Sequence, residues 1–490
     1  MHVFPRITLV VTTLVLFWLG CSLPPNEITN NQEIIINGKV TTDETLSYRN
    51  EPFQVPENIA ALEVSYTFSG KGKNEIEIGI ADPDGFRGTS RFSKTEFYIG
   101  KYSATSSYLP GKIGAGEWKI TLAFPTIRED ADYEIHVKMI SEESAQFRGP
   151  SAESLSDSSR WYAGDFHTHT GHSDGFGCKN TRGDRTPCQV SQVAEAASNN
   201  NLDFVAIADH NTISHYSEIR ALQTRYPDML LMRGQEITTF YGHTNVFGSG
   251  NPLNYAIGFN GYTANDLQKK AAEVGALLSL NHPGRESGAS CTGCGWTENS
   301  INYSILETIE IVNGTDVGSS ISGIPFWENL LNKGHRIIGI GGSDDHGAGT
   351  GSDQPGIPTT MVFAQNLSES EVIKGVRAGN VYIKTKGSLS PDIEFYASTK
   401  NQKWEMGEVI PYEKIHEELE LNIEYNGGKE FAIELIQNGN QIPITEAQRT
   451  VSKNKRKVSI PVAITKKGWV RFNLRDESGI SVISNPIFFQ

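Results

Sequence analysis

The chain has 490 residues, 38% of them hydrophobic and 9% aromatic, and a formal net charge of −14. That much apolar material fills several cores and excludes global disorder, while an acidic chain with no basic block excludes nucleic acid or an anionic membrane surface as the main partner. At ~150 residues per domain the length suggests about three domains, and no apolar run reaches the ~18–20 residues of a spanning helix.

The first element is Ile7–Gly20, a predominantly apolar stretch of fourteen residues behind Arg6, the length of a signal-peptide core. Cys21 follows at once, and Ser22-Leu23-Pro24-Pro25-Asn26 reads as a tether. Leu19-Gly20-Cys21 resembles a bacterial lipoprotein box, with Trp18 where that box carries Leu. The resemblance implies a signal peptide over 1–20, lipidation of Cys21 and a tether over 21–33. It makes the protein an exported lipoprotein of the cell envelope, touching a membrane through its lipid alone; Ser22 implies the outer membrane where there are two. An ordinary secretory signal with an unmodified cysteine is the alternative, and it also predicts export. Four cysteines remain, Cys178, Cys188, Cys291 and Cys294, and an even number suits two disulfides in an oxidising compartment. Three pairings are open, of which Cys178–Cys188 with Cys291–Cys294 is the most local. A four-thiolate zinc knuckle is the alternative use of the same residues.

From residue 34 to 145 short runs alternate apolar and polar side chains, as in Asn74-Glu-Ile-Glu-Ile-Gly-Ile80 and Glu117-Trp-Lys-Ile-Thr-Leu-Ala-Phe124. Turn clusters such as Asp82-Pro83-Asp84-Gly85 divide them, a pattern that predicts a β-sandwich. A Ser/Asp/Glu-rich linker over 146–160 follows. From 161 to 387 short apolar runs alternate with helical patterns, the signature of βα units. Strands are expected near 165–169, 204–210, 230–238, 243–248, 276–282, 306–313 and 337–344, with helices over 265–275 and 325–333. Seven such strands suggest a distorted (β/α)7 barrel. Alternation returns from 388 to 490 and predicts a second, smaller β-sandwich. The expected fold is thus multidomain, α/β plus all-β, with the barrel flanked by two sandwiches.

Nine of the twelve histidines fall between His167 and His346, most at expected strand ends. In a parallel barrel those ends converge on one face, so side chains distant in sequence meet. His167-Thr168-His169 alternates along a strand, placing both imidazoles on one side to grip an ion. Mixed His and carboxylate ligands suit Zn²⁺, Mn²⁺ or Fe²⁺, and two such ions ~3.5–4 Å apart activate a hydroxide and stabilise charge on a substrate oxygen.

The string Gly164-Asp165-Phe166-His167-Thr168-His169-Thr170, with Ser173-Asp174-Gly175, resembles the first motif of the polymerase and histidinol phosphatase (PHP) metallohydrolases. Ala208-Asp209-His210-Asn211, Gly234-Gln235-Glu236, Asn281-His282-Pro283 and Gly342-Ser343-Asp344-Asp345-His346 follow in family order. In the flank, Ala81-Asp82-Pro83-Asp84-Gly85-Phe86-Arg87-Gly88 and Tyr108-Leu109-Pro110-Gly111 resemble the all-β domain of the branch containing carbamate-insecticide (carbaryl) hydrolases. The resemblance implies two or three divalent ions. His167, His169, Glu236 and Asp344 are the implied ligands of one; Glu236 bridges to a second held by His282 and His243; Asp174, His210 and His346 hold a third. A substrate-facing or proton-transfer role is the alternative for His243.

What this implies is attack of a metal-activated hydroxide on a small-molecule ester, with Glu236 and Asp344 fixing the ions. Arg285, three residues after His282, is the candidate for gripping an anionic substrate; a salt bridge or plain surface position is its alternative. Phosphoester hydrolysis is the first expectation, carboxyl or carbamate ester hydrolysis the second, and a non-catalytic surface lipoprotein that binds glycans or proteins the third. The segments 173–189, with Arg182 and Arg185, and 286–296 are candidate lids. His172, His215 and His335 read as surface or supporting residues, Asp209 and Asp345 as orienting groups, and Gly339, Gly341 and Gly342 as sites of close packing.

Overall fold

The computed structural model describes residues 31–490 apart from 91–93, 102–103, 106, 142–148, 289–290, 292, 319, 412–418 and 463–465. The leader and Cys21 lie outside the described residues. Among those described, no helix is long and apolar enough to cross a membrane.

Period-two burial builds the N-terminal part. Its strands are β1 (Asn31–Val40), β2 (Ser47–Val55), β3 (Ile59–Phe68), β4 (Glu75–Asp82), β5 (Gly85–Thr89), β6 (Glu96–Gly100), β7 (Gly116–Thr126) and β8 (Ala131–Ser141). They form two antiparallel sheets, β1-β8-β3-β6 and β2-β7-β4-β5. Leu62, Ile78, Trp118 and Val137 are sealed in the core between them. The two strings singled out in this region meet at one corner. The Arg87 guanidinium pairs with Asp82 at 2.8 Å, donates to the Leu109 carbonyl at 2.8 and 3.0 Å, and faces the Trp118 ring. Their role here is to close a sandwich corner around a buried cation.

The central part opens with β9 (Arg160–Thr168). A small hairpin follows, β10 (Phe176–Lys179) and β11 (Arg185–Pro187), then α1 (Val190–Asn199), β12 (Phe204–Ile207), α2 (Tyr216–Gln223), β13 (Leu230–Thr238) and β14 (His243–Phe247). The chain continues through α3 (Ala264–Glu273), β15 (Leu277–Leu280), β16 (Thr308–Asn313), α4 (Ile324–Asn332), β17 (Ile338–Gly342), β18 (Thr359–Ala364), α5 (Glu369–Ala378) and β19 (Val381–Lys384). Each of the seven expected strand runs contains a strand, and both expected helices form within a residue or two of their ends. Thr263 caps α3 by accepting the Asp266 N–H, the usual work of a threonine at that position.

These seven strands lie side by side in chain order, β9-β12-β13-β14-β15-β16-β17. The sheet then curls back on itself: Thr168 bridges Asp345, the Asp344 N–H donates to the His167 carbonyl at 2.8 Å, and the His169 N–H donates to Asp345 at 2.9 Å. The regular (β/α)7 alternation is not what is found. β14 runs antiparallel to both β13 and β15, because residues 239–242 are too few for a parallel crossover, which needs a dozen or more. Between β15 and β16 no helix occurs among the described residues. The result is a curled, mixed α/β sheet.

Beyond β9 the sheet continues through β18 and β19 into Gly479–Ser484. The C-terminal segment therefore shares a sheet with the α/β part. A second sheet, containing Asp392–Ser398, Leu419–Asn426 and Lys457–Val462, packs against it around Phe395, Leu421, Phe472 and Phe489. Trp469, Ile436 and Phe488 turn the other way and join Trp327 and Ile337 in the α/β core.

Candidate metal centre

Strand ends collect the polar side chains. His167 lies in β9 and His169 just beyond it; His210 follows β12, Glu236 is near the end of β13, and His282 follows β15. Asp344 and His346 follow β17, and Asp174 sits in the loop after β9. His243 opens β14, and because β14 is antiparallel its first residue reaches the same rim as the last residues of β13. All nine residues named from the sequence as ligands meet there. Three groups place their ligand atoms within 4.8 Å of one another: His167, His169 and Asp344; His169, Asp174, His210 and His346; and His243, His282 and Cys294.

Glu236 stands among five of the imidazoles. Its oxygens lie 3.5 Å from His167 Nε2, 3.5 Å from His169 Nε2, 2.7 Å from His210 Nδ1, 3.3 Å from His243 Nδ1 and 3.6 Å from His282 Nε2. Asp344 Oδ1 is 3.3 Å from His167 Nε2 and 3.2 Å from His169 Nε2. Asp174 Oδ1 is 3.5 Å from His210 Nε2 and 3.3 Å from His346 Nε2.

The other ring nitrogens fix which form each imidazole takes. His167 Nδ1 is 2.9 Å from Glu310 Oε1, His282 Nδ1 is 2.9 Å from the Cys294 carbonyl, His346 Nδ1 is 2.7 Å from the Asp344 carbonyl, and His210 Nδ1 faces Glu236 and Thr238. Carboxylates and carbonyls only accept, so each of those Nδ1 atoms carries the proton and leaves a lone pair on Nε2. Four Nε2 lone pairs then point at carboxylate oxygens across 3.3–3.6 Å. Lone pair against anion is repulsive unless a cation or a proton stands between them. Bonds of ~2.0–2.1 Å to one tetrahedral ion separate its ligands by about 3.3–3.4 Å, the spacing seen here. His167 Nε2 is fully buried without an aligned hydrogen bond, which fits the same reading. The donor set therefore fits divalent metal.

Without an ion, protons take its place. Burial pushes the imidazoles down, but the carboxylates outweigh it and hold His210 up at about 10, His346 at about 9, and His167 well above its ordinary value. His169 goes the other way, to about 4, since burial and the neighbouring His346 both oppose its charge. Glu236 and Asp344 resist burial and stay well below the usual carboxylate range because His210 and His167 face them.

Two of these candidate ligands stand on a left-handed backbone, His282 at φ 29° and Asp344 at φ 56°. Such conformations cost ~1–3 kcal/mol and recur at functional sites. A Cβ on Gly342 would meet the His167 Cβ at 2.4 Å and Glu310 Oε1 at 2.5 Å, so only glycine lets β17 approach this ligand.

Sequence reasoning missed Glu310. It is buried in β16, where one oxygen holds His167 and the other accepts the His282 N–H and the Asn313 amide, each at 2.9 Å. Its signal was a single carboxylate inside the apolar strand Thr308-Ile-Glu-Ile-Val-Asn313. Asn281, also missed, donates to Glu236 Oε1 at 2.7 Å. Of the two expectations for His215 the supporting one holds: it is fully buried, its Nε2 faces the Ile207 and Gly234 carbonyls and its Nδ1 is 3.0 Å from Asp209. Asp209 in turn accepts from the Thr170 backbone and hydroxyl and from Ser173, holding the loop that carries Asp174. Asp345 accepts the Gly347 and Gly349 N–H groups and shapes the turn behind His346.

At the rim, Arg285 is about one-third exposed and engaged, 3.3 Å from Asp316 and 3.5 Å from Asp344. Cysteines pair as Cys178–Cys188 and Cys291–Cys294. The first staples β10 to β11, with its sulfurs 3.5 and 3.7 Å from the Gly347 and His346 carbonyls. Arg182 and Arg185 are exposed, and Arg185 lies over the Phe176 ring.

No family model matches the chain, and no curated protein matches it. Among solved structures, a Bifidobacterium adolescentis protein described as a "putative metal-dependent phosphoesterase" is 16% identical, covering 43% of this chain and 94% of its own, with a TM-score of 0.29. Bacillus licheniformis lipase BlEst2 in its propeptide form is also 16% identical, covering 28% of each chain, with a TM-score of 0.15. Likenesses this slight contribute nothing to the functional reading, which rests on ligand geometry.

Proposed function

We propose that this chain is a metal-dependent hydrolase of the PHP type acting on phosphoesters, exported and held to the envelope by lipid on Cys21. The observation that carries the hydrolase reading is the set of Nε2 atoms facing carboxylate oxygens at 3.3–3.6 Å while the Nδ1 atoms of the same rings are held by other acceptors. His167, His169, Glu236 and Asp344 would hold one ion, Glu236 with His243 and His282 a second, and Asp174, His210 and His346 a third. Bound Zn²⁺, Mn²⁺ or Fe²⁺ supplies Lewis acidity and makes water acidic enough to attack an ester near neutral pH.

The protein's own groups do the rest. Glu236 is sealed and shared among five imidazoles, so one carboxylate ties the groups together. Asp174 is exposed, so the third group borders solvent where a substrate enters. Arg285 stands at the same mouth, and its forked donors match two oxygens of a phosphoryl group if it turns from Asp316.

A separate observation favours carboxyl or carbamate esters as the second reading. Phe240 and Tyr241, 78% and 42% exposed, sit on the turn leading to His243. That turn is pinned, with the Thr297 N–H donating to the Tyr241 carbonyl at 2.7 Å and the Thr239 hydroxyl to Gly242 at 2.8 Å. Rigidly displayed rings beside the site suit an apolar ester. Turnover of p-nitrophenyl phosphate, bis-p-nitrophenyl phosphate and a naphthyl carbamate, with and without chelator, tests both. Chelator-sensitive release from a phosphate is expected; turnover of the carbamate alone would install the second reading, and no chelator-sensitive turnover would refute both.

A further inference from the structure

Cys294 is buried beside the metal centre, and its sulfur groups with the ring nitrogens of His243 and His282, all within 4.8 Å of one another. In the disulfide with Cys291 that sulfur has no thiolate to offer an ion. We infer that reduction of Cys291–Cys294 turns Cys294 into a ligand of the ion at His243 and His282, closing that site; this rests on the metal-centre reading above.

The main chain around Cys294 is fixed independently of the disulfide. Its carbonyl accepts from His282 Nδ1 at 2.9 Å, the Gly295 N–H donates to Ser287 Oγ at 3.1 Å, and the Trp296 N–H donates to Pro283 at 3.2 Å. A Cβ on Gly293 would stand 2.0 Å from the Thr239 carbonyl oxygen, and one on Gly295 2.1 Å from that of Arg285. Both flanks are therefore packed against their neighbours as closely as glycine allows. Cys291 is different: it is partly exposed, and among the described residues its main chain is tied to Gly288 in a local bridge. Opening the disulfide leaves Cys294 against the two histidines and frees Cys291.

The exchange balances with a small dithiol as reductant. One of its thiolates attacks the accessible Cys291 sulfur, the S–S bond breaks, and Cys294 leaves as a thiolate. The second dithiol sulfur displaces Cys291 from the mixed disulfide. The dithiol ends oxidised, Cys291 ends as a thiol, and its proton comes from the reductant. Cys294 with His243, His282 and Glu236 is a four-ligand set of the kind found in closed, structural metal sites, with no position left for water. The oxidised form keeps that position open.

Cobalt(II) is the probe, because a thiolate on cobalt gives a near-ultraviolet charge-transfer absorption that imidazole and carboxylate do not. Cobalt is added to the metal-stripped full chain, its stoichiometry is measured, and spectra are recorded before and after the dithiol. Wild type should show no such band until reduced. C291S, which leaves Cys294 permanently free, should show it without reductant, and C294S should lack it in both conditions. Circular dichroism confirms that the variants fold, and reduced wild type carries the test if C291S does not. Cobalt bound with no band in reduced wild type or C291S overturns the inference and leaves the metal centre standing, as does a band in reduced C294S. Failure to bind cobalt at all overturns both.

Discussion

Glu310 Oε1 accepts the Nδ1 proton of His167 at 2.9 Å, and this one contact decides which nitrogen of His167 faces Glu236 and Asp344. The same carboxylate holds the His282 main chain through its second oxygen. Glutamine at this position keeps one acceptor but turns an N–H₂ toward a donor. Glu310→Gln should weaken metal binding about 10–100-fold, the range for partners that orient metal ligands. Competition with a chromophoric chelator reads this, and unchanged affinity in a folded variant would remove Glu310 from the site.

Glu236→Gln should have the larger effect, since it removes the charge shared by five imidazoles. Bound metal should fall by at least one ion per chain, and ester turnover should drop on the order of a thousandfold, several kcal/mol of transition-state stabilisation. Metal analysis with single-substrate kinetics checks both. Full retention of either would show that Glu236 is not shared between ions.

Much of this was legible in the sequence, for identifiable reasons. Short apolar runs marked the seven strands, five of them with His or a carboxylate at or near the end, and the PHP-like motifs implied the nine residues that meet at the rim. The direction of β14 differs from the expected parallel barrel because the four residues 239–242 allow only a hairpin, a constraint carried by loop length and not by the apolar pattern. Glu310 lies mid-strand, away from the strand ends that carry the other polar groups. His215 gave no signal of burial, because a histidine between Ser214 and Tyr216 looks the same in a loop and in a core. The left-handed backbones of His282 and Asp344 could not be read from residue type, because Asp and His, though enriched in that conformation, mostly adopt others. The continuity of β19 with the C-terminal strands is likewise set by packing between segments about a hundred residues apart.

Metal removal should reverse the pH dependence of stability. In the metal-free protein the Glu236 and Asp174 carboxylates, outweighing burial, hold His210 at about 10 and His346 at about 9, above the ~6.5 of an unfolded histidine. Raised folded values mean this stabilisation is full below pH ~6.5 and is lost as pH climbs through the folded values. Glu236 and Asp174 are depressed, so their share is present above ~4.5 and is lost on acidification. His169, depressed to about 4, adds stability as pH rises toward 6.5, so chelated protein should melt highest at about pH 6.5 and lower toward both pH 4.5 and pH 9. With metal the increment should grow over pH 6–9, because protons and ions compete for the same nitrogens. Calorimetry with and without chelator shows the crossing; chelated protein that gains stability from pH 6.5 to 9 would contradict it.

Gly342→Ala should disturb the centre without touching a ligand. The added methyl overlaps His167 and Glu310, and overpacking of this kind costs about 1–3 kcal/mol. A lower Tm together with reduced metal content is expected. A lower Tm with metal affinity intact would make Gly342 a packing residue only.

Arg285→Ala separates the two ester classes. Freed from its Asp316 pairing, the guanidinium grips an anionic oxygen, so its loss should raise KM for a phosphomonoester roughly tenfold, ~1.4 kcal/mol, and leave a neutral ester unaffected. Equal effects on both would assign Arg285 to holding Asp344.

The central claim is that cations stand between the Nε2 atoms of His167, His210, His282 and His346 and the carboxylates of Glu236, Asp344 and Asp174. Anomalous X-ray scattering from crystals of the full chain grown with manganese tests it most directly. Strong peaks within bonding distance of those atoms, at two or three positions, are predicted. A site filled only with water, its imidazoles hydrogen-bonded to the carboxylates at saturating metal, would contradict it.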